Sequence, residues 1–218
     1  MTSESTVTPD STVTPNSAAT PDSTPDSATA PDEPVAPDPA TSSTDDTSDE
    51  QPASSQGFAD LIAANQSFAA RFTLGGFDGI AHRGVAVVTC MDSRIDPLRM
   101  LGLSPGDAKI FRNPGGRVTA NALEALVLGV HLLNVQRILI VPHTKCAMAS
   151  NSEAELRERV GASAGQDASW QGFHVVTDQR EALQADVRAV RSHPLIPDTV
   201  AVGGFLYDVD TGLLDQLV

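Results

Sequence analysis

Apolar positions along this chain begin in earnest only at Gly57, and from there they follow two rhythms. Phe58, Leu61, Ile62, Ala64, Phe68, Ala69 and Phe72 recur at three- and four-residue steps, which predicts an amphipathic helix ending near Gly75-Gly76. That helix should dock on the core or on a partner subunit, and Phe77 to Gly84 should be a loop. Four predicted strands follow: Val85 to Cys90, Ala108 to Arg112, Arg137 to Val141 and Thr199 to Tyr207, the first and third of them strongly apolar and β-branched. Each has strand length, and runs without polar alternation suit strands covered on both faces.

Helical spacing fills the gaps between these strands. Thr119 to Leu133 carries Leu123, Leu126, Val127, Val130 and Leu133 on one face, with Thr119 as the cap. Ser152 to Val160 reads as helix. In Asp178 to Arg191, Leu183, Val187 and Val190 should face in, with Arg180, Asp186 and Arg188 facing out. A short helix should run from Pro97 to Leu101, capped by Asp96, and Gly161 to Gly172 should be a mobile connection. Asn113-Pro114-Gly115-Gly116 is a strong turn signal. Strands alternating with helices predict an α/β fold, a small parallel sheet flanked by helices with right-handed crossovers.

Composition divides the chain at about residue 56. Residues 1–55 contain no Lys, Arg, Phe, Tyr, Trp, Leu or Ile, and are rich in Thr, Ser, Pro, Asp and Ala. Such a stretch cannot bury enough apolar area to offset the ordering of its backbone, so a disordered acidic tail is expected over 1–55 and a folded domain over 56–218. The tail repeats Thr-Pro-Asp-Ser loosely, at Thr8, Thr20 and Thr24, without a fixed period. Of the net charge of −14, the tail holds −11, leaving −3 for the rest. The acidity therefore argues against nucleic-acid binding and says little about the domain. No basic-then-apolar leader and no membrane-length apolar run is seen, which predicts a cytoplasmic location.

The chemistry concentrates in two strings 53 residues apart, Cys90-Met91-Asp92-Ser93-Arg94 and His143-Thr144-Lys145-Cys146. Each directly follows a predicted strand. If those strands are parallel, Cys90, His143 and Cys146 leave the sheet at one edge, where open α/β sheets build their sites. Two thiolates and one imidazole form a three-ligand zinc set with a fourth position open to water. These are the chain's only two cysteines, so a disulfide framework is not expected.

With the strings Thr89 to Arg94, Phe111 to Arg117, His143 to Met148 and Val202 to Gly212, the chain resembles the β-class carbonic anhydrases over roughly residues 57–218. The resemblance implies Cys90, His143 and Cys146 as zinc ligands, and Asp92 and Arg94 as the catalytic pair. It implies a mostly parallel sheet with one antiparallel edge strand, and a homodimer or an assembly of dimers. The implied reaction is hydration of carbon dioxide to bicarbonate and a proton by a zinc-bound hydroxide that Asp92, held by Arg94, orients. A closed state with Asp92 on the metal is implied as well. Ala147 and Pro114 stand where the family usually has glycine and alanine, and Lys145 where an acidic residue is common.

Two other functions remain open at this level. A carbon disulfide or carbonyl sulfide hydrolase on the same scaffold would carry nearly the same strings. A non-catalytic zinc or thiol sensor would keep Asp92 as a fourth ligand. Arg112 and Arg117 flank the Pro-Gly-Gly turn and either hold anions or brace it. His82, His131, His174 and His193 are relay candidates, with His131 expected to be packed in its helix.

Overall fold

The computed structural model describes residues 57–218, so the acidic tail expected over 1–55 lies outside the described residues. Five strands form one sheet: β1 (Val85–Cys90), β2 (Ala108–Asn113), β3 (Arg137–Val141), β4 (Ala201–Tyr207) and β5 (Leu214–Gln216). Their order is β2-β1-β3-β4-β5. The first four are mutually parallel and β5 runs antiparallel to β4, as the resemblance implied. All six residues of β1 are buried, which suits a central strand covered on both faces.

Five helices accompany the sheet: α1 (Ala59–Ala69), α2 (Ala120–Leu132), α3 (Ala147–Ser150), α4 (Glu153–Ala164) and α5 (Gln179–Arg191). Alternation along the strands divides the core between the two sheet faces. Val88, Ile138 and Ile140 pack with Leu126 of α2 and with Leu183, Val187 and Val190 of α5. On the other face Val85, Val87 and Val141 meet Met100, Leu103 and Phe205. Side chains cap the longer helices, with Thr119 doing so as its position predicts. Thr119 accepts from the Ala122 amide, Asp178 accepts from the Glu181 amide, and Ser152 and Glu155 form a reciprocal capping box.

Several expectations need correction. The Pro97 segment forms only a 3-10 turn, Arg99–Leu101, with the Arg99 amide donating to Asp96 at 3.2 Å. Helix α4 runs through Gly161 to Ala164, so the first turn of the expected mobile connection is helical. It stops at Gly165, whose left-handed backbone supplies the terminator. Asp186 is buried, where helical periodicity had placed it outward. His131 is exposed and meets the Leu195 carbonyl at 2.8 Å, where packing inside the helix was expected. Helix α1 buries none of its residues against its own chain. Of the two docking partners considered for it, the core of its own chain is excluded.

Candidate metal centre

The site forms where β1 and β3 end side by side. Thr89 pairs in register with Val141, and its hydroxyl donates to the Val141 carbonyl at 2.7 Å, which locks the two strand ends together. Cys90 is the last residue of β1, and His143 lies two residues past β3. The main chain beyond β3 is fixed by the Thr144 amide donating to the Tyr207 carbonyl, and by the Tyr207 amide donating to the Pro142 carbonyl. Cys146 follows a turn in which Lys145 adopts φ 55°, a conformation uncommon for a side chain-bearing residue. Ala147 begins α3 with ordinary helical backbone, so the glycine usual at that position is not needed for its conformation.

The ligand atoms of Cys90, His143 and Cys146 all lie within 4.8 Å of one another, and all three residues are buried. The two sulfurs are 4.0 Å apart. His143 Nδ1 lies 2.8 Å from the Thr144 carbonyl, which can only accept, so Nδ1 carries the proton and Nε2 keeps a lone pair. Among the described residues, His143 Nε2 is the one buried side-chain nitrogen or oxygen without a hydrogen-bond partner. A buried polar atom left unpaired is costly, and this one faces two sulfurs. Two sulfurs and an imidazole nitrogen with its other nitrogen tied to a carbonyl are a donor set that fits a metal ion.

Without a metal the two thiols are shifted in opposite directions. The hydrogen bond from Cys146 draws Cys90 well below its ordinary 9.0, while the same contact, with burial, pushes Cys146 up. Ile95, Met100, Met148 and Tyr207 surround the pair with mostly apolar atoms.

Asp92 sits beside this cluster, its Oδ2 at 3.7 Å from His143 Nε2. Arg94 grips it with a fork: Nε donates to Oδ1 at 2.9 Å and Nη2 to Oδ2 at 2.8 Å, and the Arg94 amide adds a third bond to Oδ1 at 3.0 Å. The Arg94 guanidinium therefore holds the Asp92 carboxyl well below the usual carboxylate range. Arg94 also donates to the Lys145 carbonyl at 3.3 Å, tying the Asp92 loop to the His143–Cys146 turn.

Further contributors were not singled out by the sequence. Gln179 donates to the His143 carbonyl at 2.9 Å, and the Gly115 amide donates to Cys90 Sγ at 3.3 Å. Both arrive through long-range packing, which no local string announces. Arg112 and Arg117, left between anion binding and bracing, both brace: Arg112 donates to the Cys90 and Asp92 carbonyls, and Arg117 to Asp186. None of the four relay candidates is hydrogen-bonded to Cys90, Asp92, His143 or Cys146. His82 pairs instead with Asp78.

Known proteins are similar to this chain in sequence and fold. The family model described as carbonic anhydrase matches residues 85–214. β-Carbonic anhydrase 1 of Mycobacterium tuberculosis is 28% identical over 158 residues, covering 72% of this chain and 96% of that protein. A carbon disulfide hydrolase of Acidithiobacillus thiooxidans is 31% identical over 161 residues, covering 62% of this chain and 73% of that protein. The crystal structure of a carbonic anhydrase from Streptococcus mutans superposes with a TM-score of 0.66 at 35% identity, covering 74% of this chain and 97% of that one. A match across 130 residues, the strand order and the three converging donors agree, and the chain belongs to the β-class carbonic anhydrases.

Proposed function

We propose that this chain catalyses the reversible hydration of carbon dioxide to bicarbonate and a proton, with Cys90, His143 and Cys146 holding a zinc ion and Asp92 and Arg94 as the catalytic pair. The observation that carries the reading is the unpartnered His143 Nε2, buried against two sulfurs and 3.7 Å from a carboxylate already committed to an arginine fork. When bound, zinc supplies Lewis acidity that brings the pKa of a water toward neutrality. Two thiolates cancel the ion's formal charge, so this site acidifies water less than a three-histidine site would, and the chain must supply orientation.

Asp92 supplies it. Held ionised by Arg94, its carboxylate only accepts hydrogen bonds. It takes one from the attacking water and so directs that oxygen's lone pair at the carbon of carbon dioxide. In the reverse direction it favours the protonated oxygen of bicarbonate and repels an unprotonated one. Arg94 meets Asp92 through three donors, so the carboxylate cannot swing toward the ligands without breaking them. Release of that fork is the step by which a closed, Asp92-ligated state would form.

A second reading rests on the carbon disulfide hydrolase, which matches this chain at 31% identity, though over less of its length than the mycobacterial carbonic anhydrase does. The same donors would direct water at the carbon of carbon disulfide or carbonyl sulfide. Zinc-loaded protein should hydrate carbon dioxide in stopped-flow assays and release little sulfide; the reverse ranking would favour the second reading. Asp92→Asn should lose about 100-fold or more in rate with its metal retained. Cys146→Ser should lose the metal itself. An unimpaired Asp92→Asn rate would overturn the assignment.

The working unit is a homodimer or an assembly of dimers. Helix α1 exposes Leu61, Ile62 and Phe68, and Phe58 and Phe72 flank it, each of the five at least half accessible. A row of large apolar side chains is what a monomer in water does not leave uncovered. Strand β2 is also an open sheet edge, beside an apolar groove lined by Ile110, Phe111 and Leu128. A second copy supplies matching apolar surface for both. Leu61→Glu with Phe68→Glu should lower the sedimenting mass, and an unchanged mass would exclude α1 from the interface. The catalytic domain is taken as 56–218 with the acidic tail appended, in the cytoplasm, where thiols stay reduced. Among the described residues no helix is long and apolar enough to cross a membrane.

A further inference from the structure

Three buried residues in the described part of the chain are polar or charged: Thr89, His143 and Asp186. The first two build the metal centre. The third lies on α5, outside it, and a buried carboxylate costs several kcal/mol of desolvation that an apolar residue would avoid. We propose that Asp186 and Arg117 are positioning residues for the metal centre, their ion pair holding the Asn113–Arg117 loop so that the Gly115 amide stays on Cys90 Sγ. The inference rests on reading Cys90, His143 and Cys146 as the ligands.

The contacts form a continuous path. Asp186 accepts from Arg117 Nε at 2.6 Å, from Arg117 Nη2 at 3.1 Å and from the Val118 amide at 3.2 Å. The Arg117 backbone is clasped by Asn113: its amide donates to Asn113 Oδ1 at 2.8 Å, and Asn113 Nδ2 donates to its carbonyl at 2.7 Å. Asn113 is the last residue of β2 and pairs in register with Cys90. The loop is thus closed on itself, pinned to the sheet at one end and to α5 at the other. Inside it, the Gly115 amide donates to Cys90 Sγ at 3.3 Å. A donor on a thiolate withdraws charge from it, which weakens its donation to a bound metal and fixes its direction. In a site whose thiolates cancel the ion's charge, that withdrawal leaves the metal more electrophilic. Helix α5 also reaches the imidazole ligand, through Gln179 on the His143 carbonyl.

The test uses the full chain loaded with cobalt(II) in place of zinc, and reads the thiolate-to-cobalt charge-transfer band and the rate of metal release to a chelator. Asp186→Asn and Arg117→Lys should shift the band and release metal about 10-fold faster. Val190→Ala, buried on the same helix away from the loop, should lower stability and leave both readouts unchanged. If Asp186→Asn does not fold, Arg117→Lys carries the test. Wild-type readouts in the folded variants, an equal change in Val190→Ala, or failure of both pair variants to fold would each overturn the positioning role. Absence of any charge-transfer band in the wild type would instead defeat the ligand assignment beneath it.

Discussion

Replacing Gly116 with alanine tests how closely the loop before α2 is fitted to the strand that carries Cys90. Gly116 has φ 66°, and a Cβ there would lie 2.9 Å from the Cys90 amide nitrogen and 3.0 Å from the Thr89 carbonyl carbon. Two costs add. Left-handed backbone costs an alanine about 1–2 kcal/mol. Backbone atoms cannot rotate aside as a side chain does, so relieving the overlap means moving β1 or the loop, at about 1–3 kcal/mol. The sum, about 2–5 kcal/mol, is a large part of the ~5–15 kcal/mol that holds a typical domain folded. Gly115→Ala is the internal control. Its φ is 84°, but its Cβ would meet only side-chain atoms of Arg117 and Met148, at 3.5 Å. It should cost the backbone term alone, about 1–2 kcal/mol. Urea unfolding of both variants at unchanged m-value gives the difference directly. Metal content should also fall in Gly116→Ala, because the atoms displaced belong to Cys90. Equal destabilisation of the two variants, within about 0.5 kcal/mol, would show that the close approach carries no energy, and the reasoning would fail.

Two more outcomes follow from the charges at the site. Arg94→Ala should let the Asp92 carboxyl rise toward its ordinary 3.8, since the Arg94 hydrogen bonds are the main cause of its depression. In the wild type that depression stabilises the fold above about pH 3.9, the unfolded-chain value, and the contribution is lost as pH falls below it. The variant should lack this acid-side loss, as carboxyl NMR titration and acid unfolding would show. Metal-stripped protein should carry one thiolate between Cys90 and Cys146 at neutral pH, because the contact between them lowers one thiol as it raises the other. The ultraviolet thiolate band should then persist well below pH 9.0, the ordinary thiol value, at about half the two-thiolate intensity. Two thiolates, or none, at pH 7 would contradict the opposite shifts.

Much of the fold is local, and that part was legible. Strands β1 and β3 occupy the predicted spans, because a continuous apolar run suits a strand buried on both faces and little else at that length. The cap of α2 was readable because a cap is a contact across three residues. The converging donors were readable for a similar reason: each follows directly on a buried strand, so adjacent parallel strands bring them together at one edge. The extent of α4 was not legible, since a glycine weighs the same against a helix whether or not tertiary packing overrides it.

Asp186 shows where local reading stops. Periodicity placed it on the solvent face because it is charged, yet it lies three residues after Leu183 and beside Val187, within the buried stripe. A rule that assigns charge to the surface holds only while no partner waits inside. The partner here, Arg117, is 69 residues away and presented by a different element. Nothing in either neighbourhood encodes that meeting. A buried charge also stabilises a fold no better than an apolar residue of similar size, so stability alone does not account for the pair. Sites where a local rule fails against its own energetics are where function is expected to have set the residue. In this chain such a residue lies one ion pair and one closed loop away from a sulfur of the metal centre.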